Sequence, residues 1–297
     1  SGTNTWAVTG DGDGTVDGVS FYDFANLAGG TGVDIFNVTA TGKVNSLSGG
    51  DNNDEFNLDN VAMLSNATVN FISINGGVGN DSLKVNTTGN TWGITTTTSS
   101  IENSGTTRYF SGVENLQSAA GSNDTLDYSN YAADHTITLS GNDDGIGKYI
   151  ANPLFNFELV AADIQNDWVI GVVDASDGLN DGIVTFGSPS SISIKFVDFN
   201  TLTGGSATDN FSFAATGAFE GTINGMGGTN SLTSRDLFNI WDITSSAVGT
   251  LKYTANIATV DTAVTTNFTD IDITTGGSAV DTFNLTDMSH ISGLISG

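Results

Sequence analysis

The sequence contains no cysteine, so neither disulfide bonds nor thiolate metal sites hold the chain together. Basic residues are also scarce: seven lysines and arginines stand against 33 acidic residues, and the formal net charge is −26. A field of this sign repels nucleic acid and anionic membranes, and it favours divalent cations or neutral and cationic partners. The composition therefore predicts that nucleic acid is not a partner.

No apolar run of the sequence is long enough to span a bilayer, which predicts that the chain does not insert directly into a membrane. The first residues, SGTNTWAVTG, do not form a signal peptide. We therefore expect any export signal to lie outside this sequence or to have been removed.

Helix-forming residues are few. Only five of the 33 acidic residues are glutamates, and the remaining 28 are aspartates. Aspartate and asparagine favour turns, because their short side chains bond to nearby backbone. Valine, isoleucine, phenylalanine and threonine favour pleated, half-buried surfaces. No window shows a helical period, so the sequence predicts an all-β fold.

A short pattern recurs along the chain, in which two glycines precede an aspartate or asparagine that we call the anchor. Apolar residues follow at alternate positions, the period of a strand with one buried face. We expect Phe36, Phe56, Phe211 and Phe283, two residues after their anchors, to point inward. The anchors are Asp34, Asp54, Asp81, Asp209 and Asp281, with Asp124 and Asn230 in weaker forms of the pattern.

The spacing of the pattern predicts the architecture. Leu47 follows Leu27 by 20 residues, and Ile74 follows Leu47 by 27. Ile223 follows Leu202 by 21 residues. A unit of about 20–25 residues suits one coil of a β-solenoid. The chain would hold about 12 coils, and stacking at about 4.8 Å would give a rod about 60 Å long.

A longer period of roughly 75–85 residues lies over the short one. Trp6, Trp92, Trp168 and Trp241 each begin a similar segment, so super-repeats start near these four positions. Equivalent positions favour a core role for the tryptophans over a sugar-stacking platform. Residues 129–167 are the least regular part and predict either a degenerate coil or a protruding loop.

The C-terminal residues repeat an internal segment. Residues 281–297 align without a gap on residues 209–225, so the sequence stops where the next glycine corner should begin. A solenoid normally closes with an atypical capping repeat. We therefore expect residues 1–297 to be a single solenoid segment that belongs to a longer array.

The glycine–aspartate corner has two interpretations. Glycines permit a tight corner, and an aspartate after it can cap free backbone N–H groups. The corner also resembles the Gly-Gly-x-Gly-x-Asp calcium repeats of secreted bacterial proteins. Stacked aspartates repel one another, and calcium binds carboxylate oxygens. That resemblance implies a calcium site at Asp34, Asp54 and Asp81.

A second candidate calcium site lies near the start of the sequence. The stretch GDGDGTVDG places Asp11, Asp13 and Asp17 in a glycine-rich loop that resembles the opening of a calcium-binding loop. A helix-loop-helix site would also need a bidentate acid at its twelfth position, where Tyr22 stands instead. An exposed acidic turn is the alternative interpretation.

Catalysis needs a different set of residues. Glycoside hydrolysis requires paired carboxylates, and Asp143 and Asp144 form such a pair, with His135 and Lys148 nearby in sequence. A second acid-and-histidine constellation is missing. The glycine motifs precede strands rather than helices, so they do not predict a phosphate-binding loop.

Two longer segments resemble a known family. FSGVENL…GSNDTLDY and FVDFNTLTGGSATDNFSF resemble the repeat regions of large bacterial surface exoproteins, the filamentous-haemagglutinin-like and biofilm-matrix adhesins. The resemblance implies a right-handed parallel β-helix in an exported fibre, located outside the cell or on its surface. It also implies partners such as extracellular polysaccharide or a host or bacterial surface.

We therefore predict a non-enzymatic structural and adhesive stalk that mediates attachment in biofilms. Two alternatives remain open. One is a carbohydrate-active β-helix enzyme, a polysaccharide lyase or hydrolase; the other is a secreted repeat protein stiffened by calcium.

Overall fold

The structure is a computed structural model that describes residues 2–64, 72–119, 121–141, 145–171, 179–187, 192–257, 260–286 and 294–296. The protein is all-β, as predicted: the described residues form 30 strands and one short 3-10 helix, Val61–Met63. The chain divides into two compact units. Unit 1 comprises Ser1–Tyr131 with Asp143–Gly147, and unit 2 comprises Ala132–Asn142 with Lys148–Gly297.

The strands of unit 1 are β1 (Asn4–Val8), β2 (Gly14–Val16), β3 (Val19–Phe21), β4 (Asn26–Gly30), β5 (Asp34–Val38), β6 (Ser46–Asp51), β7 (Glu55–Leu58), β8 (Ile72–Val78), β9 (Ser82–Val85), β10 (Thr91–Gly93), β11 (Ser99–Asn103), β12 (Thr106–Ser111), β13 (Asn115–Ser118) and β14 (Asp124–Asp127).

Strand β16 (Ile146–Ile150) contributes residues to both units. The other strands of unit 2 are β15 (His135–Thr138), β17 (Phe157–Val160), β18 (Asn166–Ile170), β19 (Gly182–Phe186), β20 (Ile192–Val197), β21 (Thr201–Thr203), β22 (Asp209–Phe213), β23 (Gly221–Asn224), β24 (Ser231–Thr233), β25 (Asn239–Ser245), β26 (Val248–Ile257), β27 (Val260–Thr269), β28 (Ile273–Thr275), β29 (Asp281–Leu285) and β30 (Leu294–Ser296).

Strand β5 shows why these segments are strands. Phe36 and Val38 are buried, whereas Ile35 before Phe36 and Asn37 between the two are half-exposed. Successive side chains of a strand point to opposite faces, so this alternation gives the segment one apolar and one polar face. The period-2 pattern in the sequence is therefore the period of the fold.

Most strands pair in parallel with the strand of a neighbouring repeat. In unit 1, β1, β5, β7, β9 and β13 form one parallel ladder, and β4, β6, β8 and β12 form another. Leu27, Leu47 and Ile74 are successive register partners, and in unit 2 Leu202 is the partner of Ile223. The 20-, 27- and 21-residue spacings of the sequence each correspond to one step across a parallel pair.

Each tryptophan lies in the first strand of a three-stranded antiparallel meander. The meanders are β1–β2–β3, β10–β11–β12, β18–β19–β20 and β25–β26–β27. The first strand of each also pairs in parallel with a later strand, β5, β14, β22 or β29. The long sequence period is therefore a meander placed between parallel strands, a feature that the sequence pattern did not predict.

Unit 2 contains the same two kinds of pairing. Strands β15, β17, β21, β23 and β27 form one parallel ladder, and β18, β22, β24, β28 and β30 form another. Within residues 129–167, where a degenerate coil or a protruding loop was expected, β15 pairs in parallel with β17. The described part of this region therefore contains a parallel strand pair, and the choice between a degenerate coil and a loop stays a prediction.

Stacked aromatic rings fill the interior. The ring centroids of Trp6 and Phe36 lie 5.4 Å apart, and those of Phe36 and Phe56 lie 5.2 Å apart with their planes 2° from parallel. Phe36, Phe56 and Phe211 are at most 1 % exposed, which confirms that they point inward, whereas Phe283 is half-buried. Full burial of such a side chain contributes about 1.5–3 kcal/mol, so the aromatic stack is a principal source of stability.

Candidate functional site

The anchors Asp34, Asp54 and Asp81 form what we call the aspartate ladder. All three are at most 2 % exposed. The backbone N–H of Asp34 donates to Oδ1 of Asp54 at 2.8 Å, and that of Asp54 donates to Oδ1 of Asp81 at 2.7 Å. The N–H of Asp81 donates to Oε2 of Glu114 at 2.8 Å. Each of these carboxylates therefore accepts a backbone hydrogen bond from the previous repeat. This is the backbone-capping interpretation of the glycine–aspartate corner, which the sequence allowed beside the calcium interpretation.

The glycines of the motif leave room for the carboxylates. A Cβ atom added to Gly29, Gly49 or Gly76 would lie 2.1, 2.0 or 2.5 Å from Oδ2 of the anchor that follows it. The second glycine of the next two pairs, Gly50 or Gly77, instead lies against the backbone of the preceding repeat, whereas a Cβ on Gly30 would meet no atom within 4 Å. Gly50 has a φ of +113°, and a Cβ there would lie 1.9 Å from the carbonyl oxygen of Gly30. The Gly-Gly-…-Asp pattern is thus explained by close packing at the corner.

An asparagine two residues before each tryptophan binds the next anchor. In all four cases the Nδ2 amide donates to a carboxylate oxygen, at 2.6 or 2.7 Å. The sequence interpretation missed these residues, although Asn-x-Trp occurs in every super-repeat. The four pairs are Asn4–Asp34, Asn90–Asp124, Asn166–Asp209 and Asn239–Asp281.

Burial changes the acidity of the anchors. It raises the pKa of Asp54 to about 6; the hydrogen bond from the N–H of Asp34 opposes this shift, and the carboxylates of Asp81 and Asp34 add to it. Burial likewise raises the pKa of Asp81. It also raises the pKa of Asp209, against a hydrogen bond from Asn166. The carboxyl groups of Asp54, Asp81 and Asp209 therefore bind protons more tightly than surface aspartates do.

The ladder offers calcium few free oxygens. Oδ1 of Asp54 and of Asp81 already accepts a backbone N–H, and Oδ2 of each ladder residue packs over a glycine with no hydrogen-bond partner among the described residues. Calcium takes six to eight oxygen ligands. Across the described residues, no three histidine or acidic side chains converge as a metal site would require. Calcium binding by Asp34, Asp54 and Asp81 therefore stays a prediction.

The aspartates of the second candidate site serve separate turns. Oδ1 of Asp17 accepts the N–H of Thr5 at 2.9 Å, and Oδ1 of Asp13 accepts the N–H of Asp23 at 3.0 Å. Asp11 is exposed and forms an isolated parallel bridge with Lys43. Asp17 is exposed as well and Asp13 is half-buried; calcium binding by these three aspartates stays a prediction.

Unit 2 carries an open polar groove of about 360 Å³. Asp134 accepts two hydrogen bonds from Asn156, which lower the pKa of Asp134. Glu158 accepts the hydroxyl of Thr136 at 3.2 Å. Burial lowers the pKa of His135, which therefore stays neutral to a lower pH than usual. The groove is lined by Asp134, His135, Thr136, Asn156, Glu158 and Thr201.

The residues of the catalytic alternative are only partly described. Asp143 and Asp144 lie outside the described residues. His135 lines the groove, whereas Lys148 lies in strand β16 and is not among the lining residues. The described chain therefore shows carboxylates and a histidine in one groove, but it does not bring Lys148 to them.

The two arginines are structural. Arg108 is buried and donates to the carbonyl oxygens of Leu64 and Thr107. Arg235 is also buried, lies 4.5 Å above the ring of Tyr253 and donates to backbone carbonyl groups. Among the described residues, neither guanidinium contacts an acidic side chain. The hydrogen bonds to carbonyl groups and the contact with Tyr253 therefore stabilise the fold.

Among the described residues, no helix has the length and apolar character that crossing a membrane requires. No protein-family model, curated protein or solved structure matches the chain, so its function is argued from the geometry above.

Proposed function

We propose that this protein is a segment of a right-handed parallel β-helix and serves as a non-enzymatic structural and adhesive stalk of a secreted bacterial adhesin. Such a stalk would lie outside the cell or on its surface and would mediate cell–matrix or cell–cell attachment. Support comes from the long parallel ladders, whose register steps match the sequence repeat, and from the acidic composition.

The recurrence of the asparagine–anchor pair carries the proposal. The same side-chain hydrogen bond forms at four corners, one in each super-repeat. A catalytic site is normally a single constellation, whereas a contact that repeats with the super-repeat maintains an architecture. The buried anchor aspartates therefore serve the contacts between successive repeats.

The outer face of unit 2 supports a carbohydrate partner. Thr136, Glu158, Thr201 and Thr222 are successive register partners in parallel strands, so their side chains form one polar row, and three of them are half-buried. Hydroxyl and carboxylate groups suit the hydroxyl groups of a polysaccharide, and Thr136, Glu158 and Thr201 of this row line the groove beside His135. Because the chain carries a net charge of −26, we expect a neutral or amino-sugar polymer to bind better than an acidic one.

Glycan binding without turnover tests the proposal. The chain is applied to an array of neutral, amino-sugar and acidic polysaccharides, and bound polymers are then incubated with it and analysed for chain shortening. Glu158→Gln and Asp134→Asn should weaken binding several-fold, because they alter the groove. Glu55→Gln, an exposed acid of unit 1, is the matched control and should leave binding unchanged.

Turnover would contradict the stalk proposal. Shortening of any polysaccharide that is lost in Asp143→Asn or Asp144→Asn would establish the carbohydrate-active alternative instead. Absence of binding to every polymer on the array would remove the adhesive part of the proposal and leave a spacer.

A further inference from the structure

A row of polar side chains crosses the eight-stranded sheet that the described residues of unit 2 form. Each strand contributes one residue, and neighbouring members are register partners in parallel or antiparallel pairs. Strands lie about 4.8 Å apart, so the seven steps between these eight strands span about 34 Å. We call this row the polar track, and its members in order are Thr136, Glu158, Thr201, Thr222, Asn267, Thr250, Asp242 and Asn284.

The polar track lies on the outer face of the sheet. All of its members are half-buried or exposed, whereas Ile137, Leu159, Leu202 and Ile223, which follow the first four members in the chain, are at most 7 % exposed. Threonine occupies four of the eight positions, and its β-branched side chain is stiff at χ1. Hydroxyl groups that are already ordered lose little side-chain entropy when a ligand binds. The track is therefore a regular and preorganised line of hydrogen-bonding groups.

The polar groove of about 360 Å³ lies at one end of the track. The first three members line it together with Asp134, and no lysine or arginine is among its described lining residues. Asp134 is exposed, and the hydrogen bonds from Asn156 lower its pKa, so its carboxylate stays ionised. A carboxylate offers about four lone-pair sites, so Asp134 and Glu158 can each accept further hydrogen bonds. The groove therefore carries negative charge and is open to a ligand.

The remainder of the track is neutral. Thr222, Asn267 and Thr250, which follow the groove, carry no charge. At the far end, Nζ of Lys252 lies 2.5 Å from Oδ2 of Asp242, and Nδ2 of Asn284 donates to Oδ1 of Asp242 at 2.7 Å. Negative charge is therefore concentrated at the groove, and neutral hydrogen-bonding groups continue from it across five further strands.

We propose that the polar track binds one extended polymer of amino sugars. An ammonium group of the polymer occupies the groove, where its donors complement the carboxylates of Asp134 and Glu158. The following sugar units lie along the track toward Asn284 and exchange hydrogen bonds with its hydroxyl and amide groups. A polymer fits better than a single sugar, because the line of polar groups continues well beyond the groove. This proposal rests on the adhesive function proposed above, and it specifies the ligand and its path.

Titration calorimetry of the chain with β-linked glucosamine oligomers of increasing length tests the path. Affinity should rise with each added unit until the oligomer reaches the end of the track, and it should then stay constant. N-acetylglucosamine oligomers of the same lengths lack the ammonium groups and should bind several-fold more weakly. This difference should shrink as sodium chloride is raised, because salt screens the attraction between the ammonium group and the carboxylates.

Two lysine variants separate the track from general attraction to an acidic chain. Asn267→Lys places a long cationic side chain at an exposed position in the middle of the track, so long oligomers should lose the affinity that length adds. The shortest oligomers, held in the groove, should bind as before. Asn256→Lys, at an exposed asparagine of the same hairpin outside the track, adds the same charge and is the matched control.

A smaller change tests the same position without an added charge. Thr222→Val removes one hydroxyl group from the track and keeps the shape of the side chain. We expect it to weaken the binding of long oligomers about threefold. Thr233→Val, at a half-buried threonine of β24 in the other sheet of unit 2, is its control and should leave binding unchanged.

The charge of the groove is tested by selectivity rather than by affinity alone. Asp134→Asn should reduce the preference for glucosamine over N-acetylglucosamine oligomers, because it removes one of the two carboxylates that face the ammonium group. Asp270→Asn changes the net charge by the same amount at an exposed position outside the track, and it should leave the preference unchanged.

Three results would overturn the proposal and leave the adhesive function standing, provided that polysaccharides of the array still bind. They are an affinity that does not depend on oligomer length, equal weakening in Asn267→Lys and Asn256→Lys, and equal affinity for the amine and N-acetylated oligomers. Absence of binding to every polymer and oligomer would remove the adhesive function and the track together.

Discussion

The backbone N–H of Asp34 donates a 2.8 Å hydrogen bond to Oδ1 of Asp54, its counterpart in the next repeat 20 residues later. The two aspartates are buried, and the first glycine of each motif makes room for the carboxylate. In the structure, a residue pattern that resembles a metal site caps backbone N–H groups from one repeat to the next, and calcium binding there stays a prediction.

The close contact of glycine with carboxylate predicts a coupled pair of substitutions. A Cβ at Gly276 would lie 2.0 Å from Oδ2 of Asp281, and the three atoms nearest to it all belong to the Asp281 side chain. We expect Gly276→Ala to destabilise the chain by about 2 kcal/mol or more, because the carboxylate must move. In an Asp281→Ala background the same substitution should cost about 1 kcal/mol less.

Denaturant unfolding of the four chains of this cycle measures the coupling. Gly2→Ala, where no atom lies within 4 Å of the added Cβ, should be neutral. Equal costs of Gly276→Ala in both backgrounds would show that the glycine does not serve to make room for the carboxylate.

The raised pKa of Asp54 predicts an unusual dependence of stability on pH. Its folded-state pKa of about 6 lies above the ordinary value of 3.8, so the folded chain binds a proton that the unfolded chain does not bind between these values. The free energy of unfolding should therefore rise as the pH falls from about 7 to 4. Conversely, this stabilisation is lost as the pH rises through about 6, where the folded-state carboxyl group gives up its proton. The raised pKa values of Asp81 and Asp209 act in the same direction.

Asp54→Asn should remove the contribution of that carboxyl group. Asparagine keeps an Oδ1 acceptor, and Asn230 already occupies an equivalent corner, where its Oδ1 accepts the N–H of Asp209. We expect the variant to gain about 1–2 kcal/mol at pH 7.5, after allowance for solvent screening, and to show a flatter pH profile. Asp270→Asn removes an exposed charge and should leave the profile unchanged. A profile of unchanged slope in Asp54→Asn would contradict the assignment.

The asparagine before each tryptophan should be sensitive to truncation. The amide of Asn166 donates to the carbonyl oxygens of Ala162 and Ile164 and to Oδ1 of Asp209, in a fully buried position. Asn166→Ala removes these three hydrogen bonds, although the carbonyl oxygen of Ala162 still accepts the N–H of Ile164, and we expect a loss of about 2–4 kcal/mol. Asn156→Ala, an exposed asparagine in the same unit, is the control. Thermal unfolding of both variants makes the comparison, and a similar loss in each would contradict the corner role of Asn166.

The strands and their partners could be predicted because they follow from local chemistry. Alternation identified the inward faces of Phe36 and Phe56, and the 20-residue step from Leu27 to Leu47 is one step across a parallel pair. The all-β class follows from the shortage of helix-forming residues. A β-helix path for the whole chain remains a proposal, because register partners define pairs of strands rather than the overall path.

The antiparallel meanders were not predicted from the sequence, although the hairpin turn of the first meander can be recognised there. Asp17 and Gly18 have φ values of 48° and 81° and join β2 to β3, as Asp-Gly does in two-residue hairpin turns. In the sequence the same residues were grouped with Asp11 and Asp13 as a candidate calcium loop. The asparagine caps were missed for a different reason, because their carboxylate partners lie about 30–45 residues away and no local pattern joins them.

The most direct test of the account is thermal unfolding of the chain after treatment with chelator, repeated with calcium, magnesium and sodium chloride at equal ionic strength. If the aspartate ladder caps backbone N–H groups, the melting temperature should rise equally with calcium and magnesium and should survive chelation. A rise specific to calcium, lost when Asp34, Asp54 and Asp81 are changed to asparagine, would contradict the account and establish the ladder as a metal site.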